Sequence, residues 1–365
     1  MIKQLKKLTI QMIAGANIAT VLIMLAAGFS YRLHPLDHPY LACAGMIFPV
    51  FLLINLAFLF FWIVFKWNKM WIPIGGYLLA YVPISIYIPL NLPREAPPDA
   101  VKLISYNVEQ YTGDPRYKDA FEQILGYLKD EQPDIVCLQE DCDTWRRTMQ
   151  FYEKVFPYND TIRINRSKSK TFNGVGIHTR FPILRRERIE YESLANGSVA
   201  YFLDIGNGDT LIVINNHLES NHLSVSDRKL YKEMLKGEMG RDTARIESKR
   251  LLTKLAENAQ IRARQADAVH RYIEAHSHYP MLVCGDFNDT PLSYARYRIA
   301  QGLTDCFAAA GRGAGLSYNR KGFNFRIDHI FCSPDIKPYN CKIDNEIDFS
   351  DHYPAICWLK IAHKP

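Results

Sequence analysis

Apolar positions follow two different rhythms along this chain. Up to about residue 90 they are nearly continuous, and three runs, 10–29, 40–65 and 71–90, contain no Asp, Glu, Lys or Arg. Twenty helical residues rising about 1.5 Å each cover a hydrocarbon core roughly 30 Å thick, so each run predicts a membrane-spanning helix. From Val101 the rhythm changes to short apolar stretches alternating with amphipathic ones. VKLISYNV, DIVCLQE, VGIHTRFPIL, AYFLDIG, DTLIVINNHLES, MLVCGDFN, IDHIFCS and PAICWLKI predict strands, while 117–130 and a long segment within 227–275 predict helices. Adjacent strands and strand–helix alternation both occur, which gives an α/β class with a mixed sheet core and helices packed outside. The predicted organisation is a three-helix membrane unit over 1–90, a stiff Pro-rich linker (NLPREAPPD) over 91–99, and one domain over 100–365.

Composition sharpens this picture. With 48% apolar and 22% charged residues among 365, a disordered chain is excluded. The mean hydropathy of -0.15 averages two parts suited to two solvents. Of the net charge of +6, residues 1–100 carry +4 and the remainder +2, so the larger part is not a basic protein. Within it, 223–264 holds eleven basic and six acidic residues, a helical stretch suited to clamping an anionic headgroup or a nucleic-acid backbone, or to a solvated face. Lys3, Lys6 and Lys7 precede the first apolar run, Lys66 and Lys69 follow the second, and the first loop has only Arg32. Positive loops stay cytoplasmic, so the N-terminus is expected inside. An odd number of spans then carries the large domain to the extracytoplasmic face, the periplasmic side of the inner membrane in a Gram-negative cell. Lacking charges within its spans, the first unit reads as an anchor. The eight cysteines show no CxxC spacing and signal neither a zinc site nor a disulfide framework.

The candidate chemistry sits where apolar stretches end. Asn107 closes the first strand, Glu140 the second, and His217 the stretch LIVINNH; Asp286 and Asn288 close MLVCGDFN, Asp328 begins IDHIF, and Asp351 with His352 precedes the last strand. Strand ends on one edge of an α/β fold converge on a cleft. Singly each residue has an innocent reading as a turn or solvated group; together they form a set.

The ordered motifs SYNV, CLQE, GVGIHTRFPI, NNHLES, CGDFND, RIDHIF and SDHYPA resemble the endonuclease/exonuclease/phosphatase superfamily, which includes deoxyribonucleases, abasic-site endonucleases, neutral sphingomyelinases and inositol-phosphate 5-phosphatases. The resemblance covers about residues 100–362. It implies a four-layer α/β sandwich with two packed sheets and hydrolysis of a phosphomonoester or phosphodiester at one edge. Such cleavage requires a hard cation on the phosphoryl oxygens, a deprotonated water in line, and support for the leaving oxygen. Carboxylate and amide oxygens suit Mg²⁺ or Mn²⁺.

On these residues Glu140 is the expected principal metal ligand, with Asn107 and Asp351 contributing. His352 is the expected base for the attacking water, since an imidazole near pKa 6.5 accepts a proton at neutral pH, and Asp328 orients it. By resemblance Asp286 is the rival base or the leaving-group acid, while Asn288 and His217 donate to phosphoryl oxygens. Asp141 and Asp143 read as a carboxylate turn opening a helix; His178, His222, His329 and Arg180 read as packing or surface residues. Family membership leaves the substrate open. The expected reading is a membrane-anchored, metal-dependent phosphoesterase acting on a lipid-linked phosphate. The alternatives are an extracytoplasmic nuclease acting on nucleotides or nucleic acid, and a catalytically silent membrane binding protein. No obligate protein partner is expected.

Overall fold

The structure is a computed structural model and describes every residue except 1, 112–119, 143–145, 165–172, 194, 237, 239, 321–322 and 363–365. The apolar N-terminal runs form α1 (Ile2–Phe29), the short α2 (Pro39–Ala42), a 3-10 turn (Cys43–Ile47), α3 (Phe48–Phe65), α4 (Trp71–Leu79) and α5 (Tyr81–Tyr87). Two stretches, Ile2–Arg32 and Pro39–Phe65, are long and apolar enough to cross a membrane. The third expected span is not one straight helix: α4 and α5 meet at a 65° bend. Pro83 has no N–H to give the carbonyl of Leu79 and its ring crowds that carbonyl, which breaks the helix there. Pro49 likewise starts α3 in its first turn, so the 40–65 run begins with α2 and the 3-10 turn.

Helices α1 and α3 pack antiparallel. Asn17 Nδ2 donates to Asn55 Oδ1 at 2.9 Å, and Trp62 Nε1 donates to Asn17 Oδ1 at 2.9 Å. These buried polar contacts join the two helices side chain to side chain. At the other end of α1, Gly28 lies against Phe48 and Pro83.

Among the described residues the large domain has strands β1 (Val101–Asn107), β2 (Ile135–Gln139), β3 (Tyr158–Arg163), β4 (Gly174–Thr179), β5 (Ile183–Ile189), β6 (Gly197–Asp204), β7 (Thr210–His217), β8 (Met281–Asp286), β9 (Thr304–Asp305), β10 (Tyr318–Arg320), β11 (Phe323–Phe325), β12 (Asp328–Cys332), β13 (Ile336–Ile343) and β14 (Ala355–Ile361). Its helices are α6 (Ala120–Glu131), α7 (Arg146–Val155), α8 (Val225–Lys236), α9 (Arg241–Ala275), α10 (Tyr294–Ile299) and α11 (Cys306–Ala310). Two mixed six-stranded sheets run β13-β14-β1-β2-β4-β3 and β5-β6-β7-β8-β12-β9. One core lies between the sheets, with Leu103, Cys137, Tyr201, Val213 and Cys284; another lies under α9 and α10, and a third under α6 and α7. The order helix, sheet, sheet, helix is the expected four-layer sandwich.

VGIHTRFPIL, predicted as one strand, divides into β4 and β5, which belong to different sheets. The turn Arg180–Pro182 carries the chain from one sheet to the other. The edge strands β3 and β13 escape the apolar-run pattern because YNDTIR and IKPYNCKI are largely polar, and Pro338 is tolerated only at such an edge.

The cysteines beyond residue 100 are free and buried, and act as small apolar groups. The segment after α5 is tied down: Asn91 Nδ2 donates to the carbonyls of Ala308 and Gly311 at 2.9 and 2.8 Å.

Candidate active site

Asn107, Glu140, His217 and Asp286 end four neighbouring strands at one edge of the two sheets. Register makes this so: Asn107 pairs with Gln139, and His217 pairs with Asp286, which in turn faces Asp328. Close approach of β7 and β8 depends on Gly285, whose φ is +130°. A Cβ there would lie 2.0 Å from the carbonyl oxygen of Asn216. Glu140 and Asn288, just past their strands, adopt left-handed φ of 52° and 51°. Non-glycine residues carry that strain where the surroundings over-determine the side chain's position.

Asn107 Nδ2 bridges two carboxylates, lying 3.4 Å from Glu140 Oε1 and 3.1 Å from Asp286 Oδ2. His217 Nε2 sits 3.9 Å from Glu140 and 3.8 Å from Asp286. His352 places Nδ1 2.8 Å from Asp328 Oδ2 and Nε2 3.6 Å from Asp286 Oδ2. The Asn288 backbone N–H donates to Asp286 Oδ1 at 2.8 Å, while its side-chain amide donates to the carbonyl of Leu218 at 3.0 Å. Asp351 lines the same cleft and pairs with Arg320 Nε at 2.9 Å; Arg320 also pairs with Glu109. All eight expected residues are thus brought together.

Electrostatics are set by this crowding. Burial first, and then the charge of Asp351, push the Glu140 carboxyl up to about 7. Burial also raises Asp286, against the pull of His352. Burial alone would strip the proton from His352, but Asp328 and Asp286 outweigh it and hold the ring well above its ordinary value. Burial lowers His217, which favours a neutral ring.

The donor set fits a hard cation. Glu140 and Asp286 stand in a field of further carboxylates that Arg320 and the histidines offset in part, a negative charge that a divalent ion would relieve. Glu140 could hold it, with Asn107 adjacent and Asp351 offering the oxygen not paired with Arg320. Asp286, Asp328 and His352 also present ligand atoms within 4.8 Å of one another. A cation among those three would have to break the 2.8 Å Asp328–His352 bond.

Of the residues read as packing or surface groups, His329 packs on Phe287, while Arg180 and His222 are exposed, His222 at the cleft. Asp141 accepts from the hydroxyls of Tyr111 and Thr161, each at 2.7 Å, and is fully enclosed, so it is a network anchor and not the helix-opening turn expected. His178 stacks on Tyr152 at 3.6 Å. Asp143 lies outside the described residues. Sequence reasoning missed Tyr318, which lines the cleft edge-on to His352 at 5.2 Å; Arg228, from the basic stretch 223–264, lines it with no carboxylate partner among the described residues. Tyr318 ends no apolar strand, so no pattern marks it.

The sequence profile of the endonuclease/exonuclease/phosphatase family matches residues 104–352. The chain belongs to that family. Members of the endonuclease/exonuclease/phosphatase family are metal-dependent phosphoesterases and nucleases, and this chain is an enzyme of that kind. A second profile, of a domain of unknown function (DUF8431), matches residues 10–87. No curated protein matches the chain.

Solved structures share the fold at low identity. A family protein from Bacteroides thetaiotaomicron is 16% identical with a TM-score of 0.51, covering 73% of this chain and 100% of its own. The human Nocturnin catalytic domain with bound sulfate is 15% identical, TM-score 0.50, covering 72% and 94%. D. rerio TDP2 complexed with a single-strand DNA product is 16% identical, TM-score 0.50, covering 72% and 99%.

Proposed function

We propose that this protein is a membrane-anchored phosphoesterase with 1–90 as anchor, 91–99 as connection and 100–365 as catalytic domain, acting by in-line attack of water on a lipid-linked phosphate. One observation carries the chemistry: Asp286 lies within 3.1–3.8 Å of Asn107, His217 and His352 in one cleft. His352 has a carboxylate at each ring nitrogen, the setting of an imidazolium that donates rather than accepts. Asp286 is therefore the acceptor for the water proton, and His352, steadied by Asp328, donates to the phosphoryl oxygen. His217 and the second amide hydrogen of Asn288 add donors, and Arg228 adds a cation. A divalent ion held by Glu140, Asn107 and Asp351, Mg²⁺ or Mn²⁺, would withdraw charge from the phosphoryl group.

The anchoring reading is supported by how the chain is threaded. The catalytic domain packs on the loop between α1 and α3, where Tyr31 meets Tyr297 and His34 meets Asp267, and on the end of α5, where the Ile86 carbonyl accepts from Arg326. Both contacts lie at the end of the bundle away from Lys3, Lys6, Lys7, Lys66 and Lys69. The bent α4–α5 pair then acts as the third crossing, and the basic end belongs in the cytoplasm with the catalytic domain opposite.

The test is Mg²⁺-dependent hydrolysis of bis(p-nitrophenyl) phosphate by the full chain. Glu140→Ala, Asp286→Ala and His352→Ala should each lower kcat by at least about 100-fold; wild-type rates in all three would remove the assignment. The nuclease reading is favoured by the exposed basic end of α9, with Arg241, Arg245 and Lys249. It requires cleavage of nucleic acid that weakens steeply with salt.

A further inference from the structure

The cleft does not end at the reacting groups. It has a volume of about 290 Å³, and the lining that holds Glu140, Asp286 and His352 also includes Ala42, Met46, Leu251, Leu255 and Leu292, interspersed with polar groups such as Arg262 and Asp289. Ala42 and Met46 come from the N-terminal helical unit, so the unit that holds the protein in the membrane also walls the cleft.

This wall is fixed in place. A Cβ on Gly45 would lie 2.2 Å from the Leu292 carbonyl oxygen, so glycine is what lets the 3-10 turn close on the catalytic domain. Gln260 Nε2 donates to the Pro35 carbonyl at 3.3 Å alongside. Next to the wall residues in sequence, Leu41 and Ile47 are 59% and 45% exposed on the stretch Pro39–Phe65 that suits a membrane interior. One cleft thus combines phosphoester-binding groups with apolar side chains, two of them supplied by the apolar N-terminal unit. A hydrophilic phosphoester gains nothing from those apolar side chains, because burying a polar group against them costs water without giving a partner.

We infer that the membrane unit completes the substrate site and that the substrate is an amphiphile. Its phosphoester lies among Glu140, Asp286 and His352, and its hydrocarbon chain lies along Ala42, Met46, Leu251 and Leu255. This rests on the phosphoesterase reading above. In the reaction the water oxygen forms a new P–O bond and its proton passes to Asp286. The P–O bond to the leaving alcohol breaks, and its electron pair departs with that oxygen.

The experiment uses the full chain in nonionic detergent with Mg²⁺ and three soluble diesters that share one scissile bond: methyl, butyl and octyl p-nitrophenyl phosphate. Burying a methylene is worth about fourfold in affinity, so three to four methylenes buried should raise kcat/KM roughly 100-fold from methyl to octyl. Met46→Gln and Leu255→Gln should each lower the octyl-to-methyl ratio by about tenfold. Gly45→Val, which forces the wall outward, should lower it as well. Leu255 belongs to the catalytic domain, so its variant remains informative if a change in the membrane unit impairs folding, which a melting curve reports. Equal kcat/KM across the three esters overturns the inference and leaves the phosphoesterase reading standing. Faster cleavage of a single-stranded oligonucleotide than of the octyl ester also overturns it. Failure to hydrolyse any of these substrates defeats the phosphoesterase reading itself.

Discussion

Asp328 Oδ2 lies 2.8 Å from Nδ1 of His352, with both side chains buried, although Asp328 starts a strand of one sheet and His352 precedes a strand of the other. The bond ties the two halves of the sandwich together at the cleft and leaves the second ring nitrogen facing Asp286.

That pairing predicts a kinetic signature. Asp328→Asn keeps the shape but removes the charge that stabilises the protonated ring, so kcat should fall by about 10²- to 10⁴-fold with a much smaller change in KM. Steady-state kinetics on a phosphodiester, with a melting curve to confirm folding, checks this; a pure KM effect would relocate Asp328 to substrate binding.

Metal binding has a readout independent of turnover. A ligand that binds only the folded state raises its melting temperature, so Mg²⁺ at about 100 times its Kd should stabilise the wild type by about 2.7 kcal/mol. Glu140→Gln should lose most of that gain. An equal Mg²⁺-induced shift in both proteins would place the ion elsewhere.

Gly285 should tolerate no side chain. Gly285→Ala brings a Cβ to 2.0 Å from the Asn216 carbonyl oxygen at a left-handed φ, and a clash with backbone has no side-chain escape. The expected loss is about 3 kcal/mol or more, seen as a fall in melting temperature or failure to accumulate folded protein.

Helix α8 is tied to α9 through Asp227, which accepts from Arg250 at 2.7 Å and Lys254 at 2.9 Å. Burial would raise this carboxyl, but the bonds from Lys254, Ser224 and Arg250 outweigh it and hold it well below the carboxylate range. A depressed folded pKa means the stabilisation is complete above the unfolded value of about 3.9 and fades as pH falls below it. Protection of the α8 amides, taken against their intrinsic exchange rate at each pH, should therefore fall as pH drops from about 4 towards 2, and Asp227→Asn should show the lower protection already at pH 7. Identical exchange in variant and wild type at pH 7 would show that other contacts hold α8.

Orientation can be read with two fusions after Pro365. Alkaline phosphatase should be active there and a cytoplasm-dependent fluorescent reporter dark; the reverse pattern would place the catalytic domain inside.

Much of the architecture was legible because it follows from local rules. Uncharged runs of twenty residues marked α1 and α3, and buried strands announced themselves as short apolar stretches, each closing on a polar residue that had no reason to be buried unless it had a task. Legibility failed where a local signal was weak or ambiguous. Pro83 bent the third apolar run, and the polar edge strands β3 and β13 lacked an apolar face long enough to read. Asp141 looked like an exposed turn because nothing in the chain near it shows that Tyr111 and Thr161 enclose it.

By itself the sequence determined the division into an apolar helical unit and a larger mixed domain, the α/β class and the set of strand-end residues, since each depends on periodicity and residue type over short stretches. Only tertiary structure decided that His352 stands between two carboxylates, and that Ala42 and Met46 wall the same cleft as residues some two hundred positions away. Those relationships depend on strand register and on the close approach allowed at Gly45 and Gly285, and distance through space is not encoded in the spacing along a chain.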